Sequence, residues 1–264
     1  MNKRLIIVLT CLCLFPASLF GEDFLEERSE HFFVYYYKGI PADFVSKTIV
    51  YCERYYKNIT DSLGYTRFNF WTWDERAKIY IYPDQATFRK NTNQAYWSAG
   101  AASHEKKTVW TFPQMAGFFD SILPHELGHI IFREVIGYYT EVPLWLEEGA
   151  ASFQEAGRRH NAAGMIKQAI KEGRFIPLDR LSQIDVRVLT DRNEVELFYS
   201  ESVSVVDYLV TKYGASKFAE FCGRLKDGNS IDSSLRFVFD IKDLSELNDR
   251  WKNKLDKNPA IVYI

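Results

Sequence analysis

Net charge is almost absent from this chain: 33 Lys and Arg face 35 Asp and Glu, leaving −2 over 264 residues. A nucleic-acid partner normally needs a basic patch, and the composition supports none. Cysteine is scarce too. Of four, Cys11 and Cys13 lie in the N-terminal apolar stretch, which leaves Cys52 and Cys222 without metal-ligand spacing. That pair is either bridged, as an oxidising compartment favours, or two buried free thiols. No repeat and no low-complexity linker breaks the sequence, and only five histidines occur: His31, His104, His125, His129 and His160. What remains is an ordinary globular balance, 47% hydrophobic and 26% charged. It suffices for one substantial core or two small lobes sharing a cleft. Aromatic content is high at 16%, which suits groove lining or, more simply, core packing.

The first residues read as a targeting segment. Lys3-Arg4 is a short positive region, and Leu5 to Phe15 is apolar and closed by Pro16. Small residues in Ala17-Ser18-Leu19-Phe20-Gly21 offer a cleavage site before Glu22-Asp23. The apolar run falls short of the about 20 residues a membrane span needs. Residues 1–21 are therefore expected to be a cleaved secretory signal, giving a secreted or periplasmic protein with no membrane association. An uncleaved anchor is the alternative. Lipid attachment at Cys11 or Cys13 is disfavoured, since neither follows the small residues such a site presents.

Local patterns then set an order of elements. His31 to Tyr37, Lys78 to Tyr82 and Thr108 to Phe112 are rich in β-formers and predict three strands. Val45, Ile49, Cys52, Tyr55, Tyr56 and Ile59 recur with helical period, predicting a helix from Asp43 to Leu63. A short helix is expected from Gln85 to Asn91, and a loop or hairpin arm from Ala95 to Ser103. Further helices are expected at Ser121 to Gly137, Leu144 to Gly157, Asn161 to Glu172, Ser200 to Tyr213, Ala215 to Leu225, Ser230 to Phe237 and Ser245 to Leu255.

Chemistry concentrates in Pro124-His125-Glu126-Leu127-Gly128-His129, a His-Glu-x-x-His pattern inside an apolar helix. His125 and His129 stand one turn apart on one face. After His129 and eighteen intervening residues comes Glu148, in Trp145-Leu146-Glu147-Glu148-Gly149-Ala150. Two imidazoles and one carboxylate are the three protein ligands of a catalytic zinc, whose fourth position stays open for water. Glu126, next to the first histidine, is placed to take that water's proton. Spacing alone does not choose between Glu147 and Glu148. A closed structural zinc is disfavoured, because no fourth ligand is evident.

These residues resemble the gluzincin metallopeptidases. The likeness is to the aminopeptidase N-like catalytic domain and to the small peptidase MA-like proteins, which share Trp-Leu-x-Glu-Gly-x-Ala. The resemblance implies His125, His129 and Glu148 as ligands of one zinc per chain and Glu126 as general base. It selects Glu148, because the family's ligand immediately precedes the glycine. It also implies Tyr199, in Leu197-Phe198-Tyr199-Ser200, as a phenol donor to the transition state; a packed or surface tyrosine is the plain alternative. Glu155, seven residues after Glu148, is either a carboxylate orienting a ligand histidine or a solvated one. An extended substrate is expected along the Thr108–Phe112 strand, unless Trp110 and Phe112 simply face the core.

The fold expectation is α+β: one zincin-like unit over residues 22–264. It comprises an α/β lobe (22–120), metal-site helices (121–157) and a helical lobe (158–264), with the site in the cleft between. Aminopeptidases of this kind hold the substrate amine with a Gly-x-Met-Glu-Asn glutamate. The corresponding Gly100-Ala101-Ala102-Ser103-His104-Glu105 lacks it. His104 and Glu105 are either substrate contacts or solvated loop residues. The expected activity is therefore an endopeptidase or narrow processing enzyme acting on a peptide or protein. A non-catalytic peptide- or glycan-binding protein on the same scaffold is the rival, and the intact Glu126 speaks against it.

Overall fold

Alternation along three short segments builds a sheet with two apolar faces. The computed structural model describes residues 24–65, 71–92, 101–113 and 117–257. The expected signal, residues 1–21, and residues 95–100 of the expected loop lie outside them. Five strands, β1 (Phe24–Arg28), β2 (Phe32–Tyr37), β3 (Ala77–Ile81), β4 (Ala101–Ser103) and β5 (Thr108–Thr111), pair in the order β1-β2-β3-β5-β4. The pairs β2–β3 and β3–β5 are parallel, whereas β1 and β4 run antiparallel to their neighbours. Phe32, Val34, Ile79, Ile81 and Val109 point into the main core. Their alternates Tyr35, Tyr80, Tyr82 and Phe112 form a second cluster with Phe88 of α2 (Gln85–Thr92) on the opposite face.

Two sheet expectations change. β1 was not foreseen, because Glu26-Glu27-Arg28 lacks β-forming character; an edge strand tolerates such charges. β5 is not an edge. It is paired on both sides, so no substrate can add to it; among the described residues the edge strand on this side is β4, and Phe112 lies in the second cluster.

The remainder is helical. α1 (Ala42–Ser62) buries Val45, Cys52, Tyr55, Tyr56 and Ile59. A π-helical turn at Phe118–Ile122 leads into α3 (Leu123–Ile136), where Pro124 sits in the first turn and so forfeits no helical hydrogen bond. Then follow α4 (Leu144–Ser152), α5 (Ala156–Lys171), α6 (Leu178–Leu181), α7 (Arg192–Tyr213), α8 (Ala215–Lys226), α9 (Ile231–Phe239) and α10 (Leu244–Lys257). The expected helix from Leu144 to Gly157 thus breaks at Ser152, which puts Glu155 in the bend before α5. α7 begins at Arg192 rather than Ser200, capped by the Asp191 carboxylate accepting from the Asn193 and Glu194 amides, so Tyr199 lies inside it.

Two glycines let these helices approach. A Cβ on Gly128 would stand 2.7 Å from Ala151 Cα, and one on Gly149 would stand 2.7 Å from Val206 Cγ2 and closer still to Ser202 O. α3, α4 and α7 therefore stack nearly backbone to backbone, carrying Glu148 to the histidines. Cys52 and Cys222 are both free and buried, which removes the bridged alternative. Burial pushes both thiols up, that of Cys222 to about 12. Among the described residues, no helix is long and apolar enough to cross a membrane.

Candidate metal centre

The i, i+4 register on α3 brings the two imidazoles together, with ring centroids 4.7 Å apart and planes at 80°. Their Nε2 atoms face each other at 3.1 Å. Glu148 Oε2, delivered by α4, lies 3.5 Å from His125 Nε2 and 3.3 Å from His129 Nε2. A tetrahedral ion with bonds of about 2.0–2.1 Å spaces its ligand atoms about 3.3 Å apart, so this triangle has the size such an ion requires. Glu148 Oε2 is moreover buried without a hydrogen-bond partner, an orphan that a cation would satisfy. Among the described residues, these three form the one group of His, Cys, Asp and Glu suited to a metal. The donor set fits zinc.

A second layer of carboxylates stands behind the histidines. Glu155 Oε1 lies 2.8 Å from His125 Nδ1, and its other oxygen accepts from Ser121 Oγ at 2.6 Å and Arg158 Nε at 3.3 Å. The solvated alternative for Glu155 is thereby excluded, although a chain bend rather than a shared helix face brings it there. On the other side, Glu147 Oε1 lies 3.4 Å from His129 Nδ1, near but not aligned as a hydrogen bond. Both Glu147 oxygens accept from Arg133, the Nε bond measuring 2.7 Å, while Arg133 Nη1 donates to Thr140 O at 2.9 Å. Carboxylates in these places orient a ligand histidine and raise its basicity.

Electrostatics follow from that convergence. Burial works against charge on His129, yet Glu147 and Glu148 outweigh it and raise the imidazole to about 10. His125 is also raised: burial opposes, and Glu148 and Glu155 prevail. Burial would lift the carboxyls in turn, but the histidines, with Arg133 and Arg158, hold Glu147 and Glu155 down to about 2 and Glu148 lower still. A site that attracts protons this strongly attracts a divalent cation by the same field.

The centre opens into a cavity of about 500 Å³ lined by Ser103, His104, Glu126, His129, Tyr138, Tyr139, Leu144, Glu148 and Arg187, among others. Glu126 thus faces the same space as the ligand triangle. Tyr199 flanks His125, its ring centroid 6.2 Å away, with the Arg158 guanidinium 4.8 Å above its own ring. Burial, then Glu148, pushes its phenol up, so it stays protonated and able to donate. His104 flanks His129, stacked at 5.0 Å and 20°, and burial with His129 beside it lowers that imidazole to about 4. It is not a solvated loop residue.

Sequence reasoning passed over the roles of Arg133 and Glu147. Arg133 repeats the ligand register, one turn beyond His129, which was a usable signal. Ser121 offered none, since its contact with Glu155 comes from a distant segment.

A small mixed sheet, a histidine-bearing helix after its last strand and a helical remainder make this an α+β, zincin-like fold. Residues 73–257, well over half of the chain, match the family model for the Peptidase MA superfamily, and the chain belongs to that superfamily. Its members are peptidases, typically metal-dependent. No curated protein matches the chain.

Proposed function

We propose that the chain is an exported zinc metallopeptidase, an endopeptidase or narrow processing enzyme, with His125, His129 and Glu148 as the zinc ligands. The observation that carries this is the triangle of 3.1, 3.3 and 3.5 Å closed by an unpartnered buried carboxylate oxygen beside Glu126. A zinc ion held there supplies a Lewis acid that makes water acidic enough to attack at neutral pH and polarises the scissile carbonyl. Glu126 takes the proton of the attacking water and passes it to the leaving amine. Glu155 and the Glu147–Arg133 pair hold the two imidazoles in place, and Tyr199 donates its phenol to the developing oxyanion. Missing the amine-binding glutamate of the aminopeptidases, the cleft suits internal bonds of an extended chain. Export rests on residues 1–21 alone, since free Cys52 and Cys222 lend it no support.

The test is metal content of the purified chain beside cleavage of an unfolded protein with and without chelator. One zinc per chain and chelator-sensitive cleavage are expected. Glu126→Gln should keep the zinc and lose at least about 100-fold in kcat, the scale of general-base catalysis. Full activity in that variant overturns the mechanism, and a chain that binds no metal overturns the assignment.

A further inference from the structure

We propose that Arg158 is a positioning residue, its single guanidinium tying the Tyr199 ring to the Glu155–His125 pair so that phenol and ligand histidine keep one fixed geometry. The inference rests on the peptidase reading above and adds to it what holds the phenol in place. Arg158 stands in the first turn of α5, three residues after Glu155 and therefore on the same side of the chain. Its Nε donates to Glu155 Oε2 at 3.3 Å, and the other oxygen of that carboxylate lies 2.8 Å from His125 Nδ1. Its Nη1 donates to Glu196 Oε2 at 3.1 Å. Its face lies 4.8 Å from the centre of the Tyr199 ring, which in turn flanks the His125 ring at 6.2 Å. Glu196 and Tyr199 are three residues apart on α7, so one side of that helix offers both contacts. A planar guanidinium can do this, bonding carboxylates with its edge while stacking an aromatic on its face.

Arg158 is not what fastens α5 to α7. Arg159 pairs with Asp207 at 2.6 Å, Ser200 Oγ donates to Met165 Sδ at 3.0 Å, and Ala162, Ile166 and Ala169 are buried along α5. The contacts of Arg158 run instead from the surface inward. Glu196 is 42% exposed, Arg158 23% and Glu155 only 5%. The guanidinium thus braces a buried carboxylate and a half-buried ring against an outer anchor. Both of those lead to His125, one by a hydrogen bond and one by ring contact. Placement of reacting groups matters steeply, a shift of about 1 Å being worth as much as 100-fold in rate. The competing role is a plain clasp between two helices, of the kind that contributes little at a surface.

The two roles are separated by double-mutant cycles, read as kcat and KM on fluorescein-labelled, unfolded casein and as zinc affinity in chelator competition. Arg158→Met keeps the stem and removes the guanidinium. It should lower kcat about 10- to 100-fold with KM little changed. In a Tyr199→Phe background the same substitution should cost almost nothing further, because the group it positions is gone. Zinc affinity should fall about tenfold, and no further in a Glu155→Ala background. Arg158→Lys, which restores the charge but not the planar fork, should recover part of both losses. Glu196→Gln loosens only the exposed anchor and reads the same tie in a chain that folds: a smaller loss of kcat, again absent once Tyr199 is Phe. Losses of kcat that add in full to that of Tyr199→Phe overturn the proposal, and so does zinc affinity untouched by Arg158→Met. Failure of the peptidase reading looks different: the wild-type chain takes up no zinc or cleaves no casein, and this proposal falls with it.

Discussion

Glu147, Glu148 and Glu155 on one side of the α4–α7 stack and Glu201 within α7 are the same residue type in equally dry surroundings, yet their protons behave oppositely. Burial lifts every one of them. Around the first three, His125, His129, Arg133 and Arg158 overcome that lift and hold the carboxyls ionised. Among the described residues Glu201 accepts only the Ile176 amide, at 3.0 Å, and its Oε2 has no partner, so burial lifts the carboxyl to about 8. Dryness therefore does not make a charged site. Convergent cations do, and the candidate centre is where the fold gathers them.

The largest break in this comparison comes from Glu147→Ala, which strips Arg133 of its carboxylate in a mostly buried setting. Leaving such a charge uncompensated should cost about 3–5 kcal/mol in urea unfolding. A loss under about 1 kcal/mol means Arg133 reaches water and the pair is dispensable.

Glu201→Gln probes the other side. Between an unfolded value of 4.5 and a folded value of about 8, the native chain holds a proton that the unfolded chain has released. Stability therefore falls as pH rises through that window and levels off above it. The glutamine variant lacks this slope. Relative to wild type it should gain on the order of 3 kcal/mol between pH 5 and pH 8. Parallel pH profiles of the two chains would show Glu201 to be hydrated and ordinary.

The smallest effect sharpens the contrast between the two histidines. Glu155→Ala removes an aligned hydrogen bond from His125 and should weaken zinc binding about 10- to 100-fold in chelator competition, with little change in unfolding. Equal zinc affinity in that variant shows that packing alone orients His125.

Legibility followed locality. The boundaries expected for α1, α2, α8, α9 and α10 agree with those observed to within two residues, because each pattern lies inside one element. The start of α7 was missed although Asp191 is a capping residue, since the polar run Asp191-Arg192-Asn193-Glu194 shows no apolar period. The break at Ser152 went unseen because Ser152-Phe153-Gln154 contains neither glycine nor proline.

The site divides along the same line. Residue order alone determined that His125 and His129 share a helix face, that Glu126 sits beside them and that a glutamate follows on the next helix, since i, i+4 spacing dictates direction wherever a helix forms. Tertiary structure alone decided the rest: that Glu148 Oε2 comes within 3.3 Å of His129 Nε2, that Glu155 reaches His125 across a chain bend, and that His104 stacks on His129 from the sheet. Those contacts depend on how closely α3, α4 and α7 pack at Gly128 and Gly149 and on where β4 ends. Such distances between segments are set by packing, which no local pattern encodes.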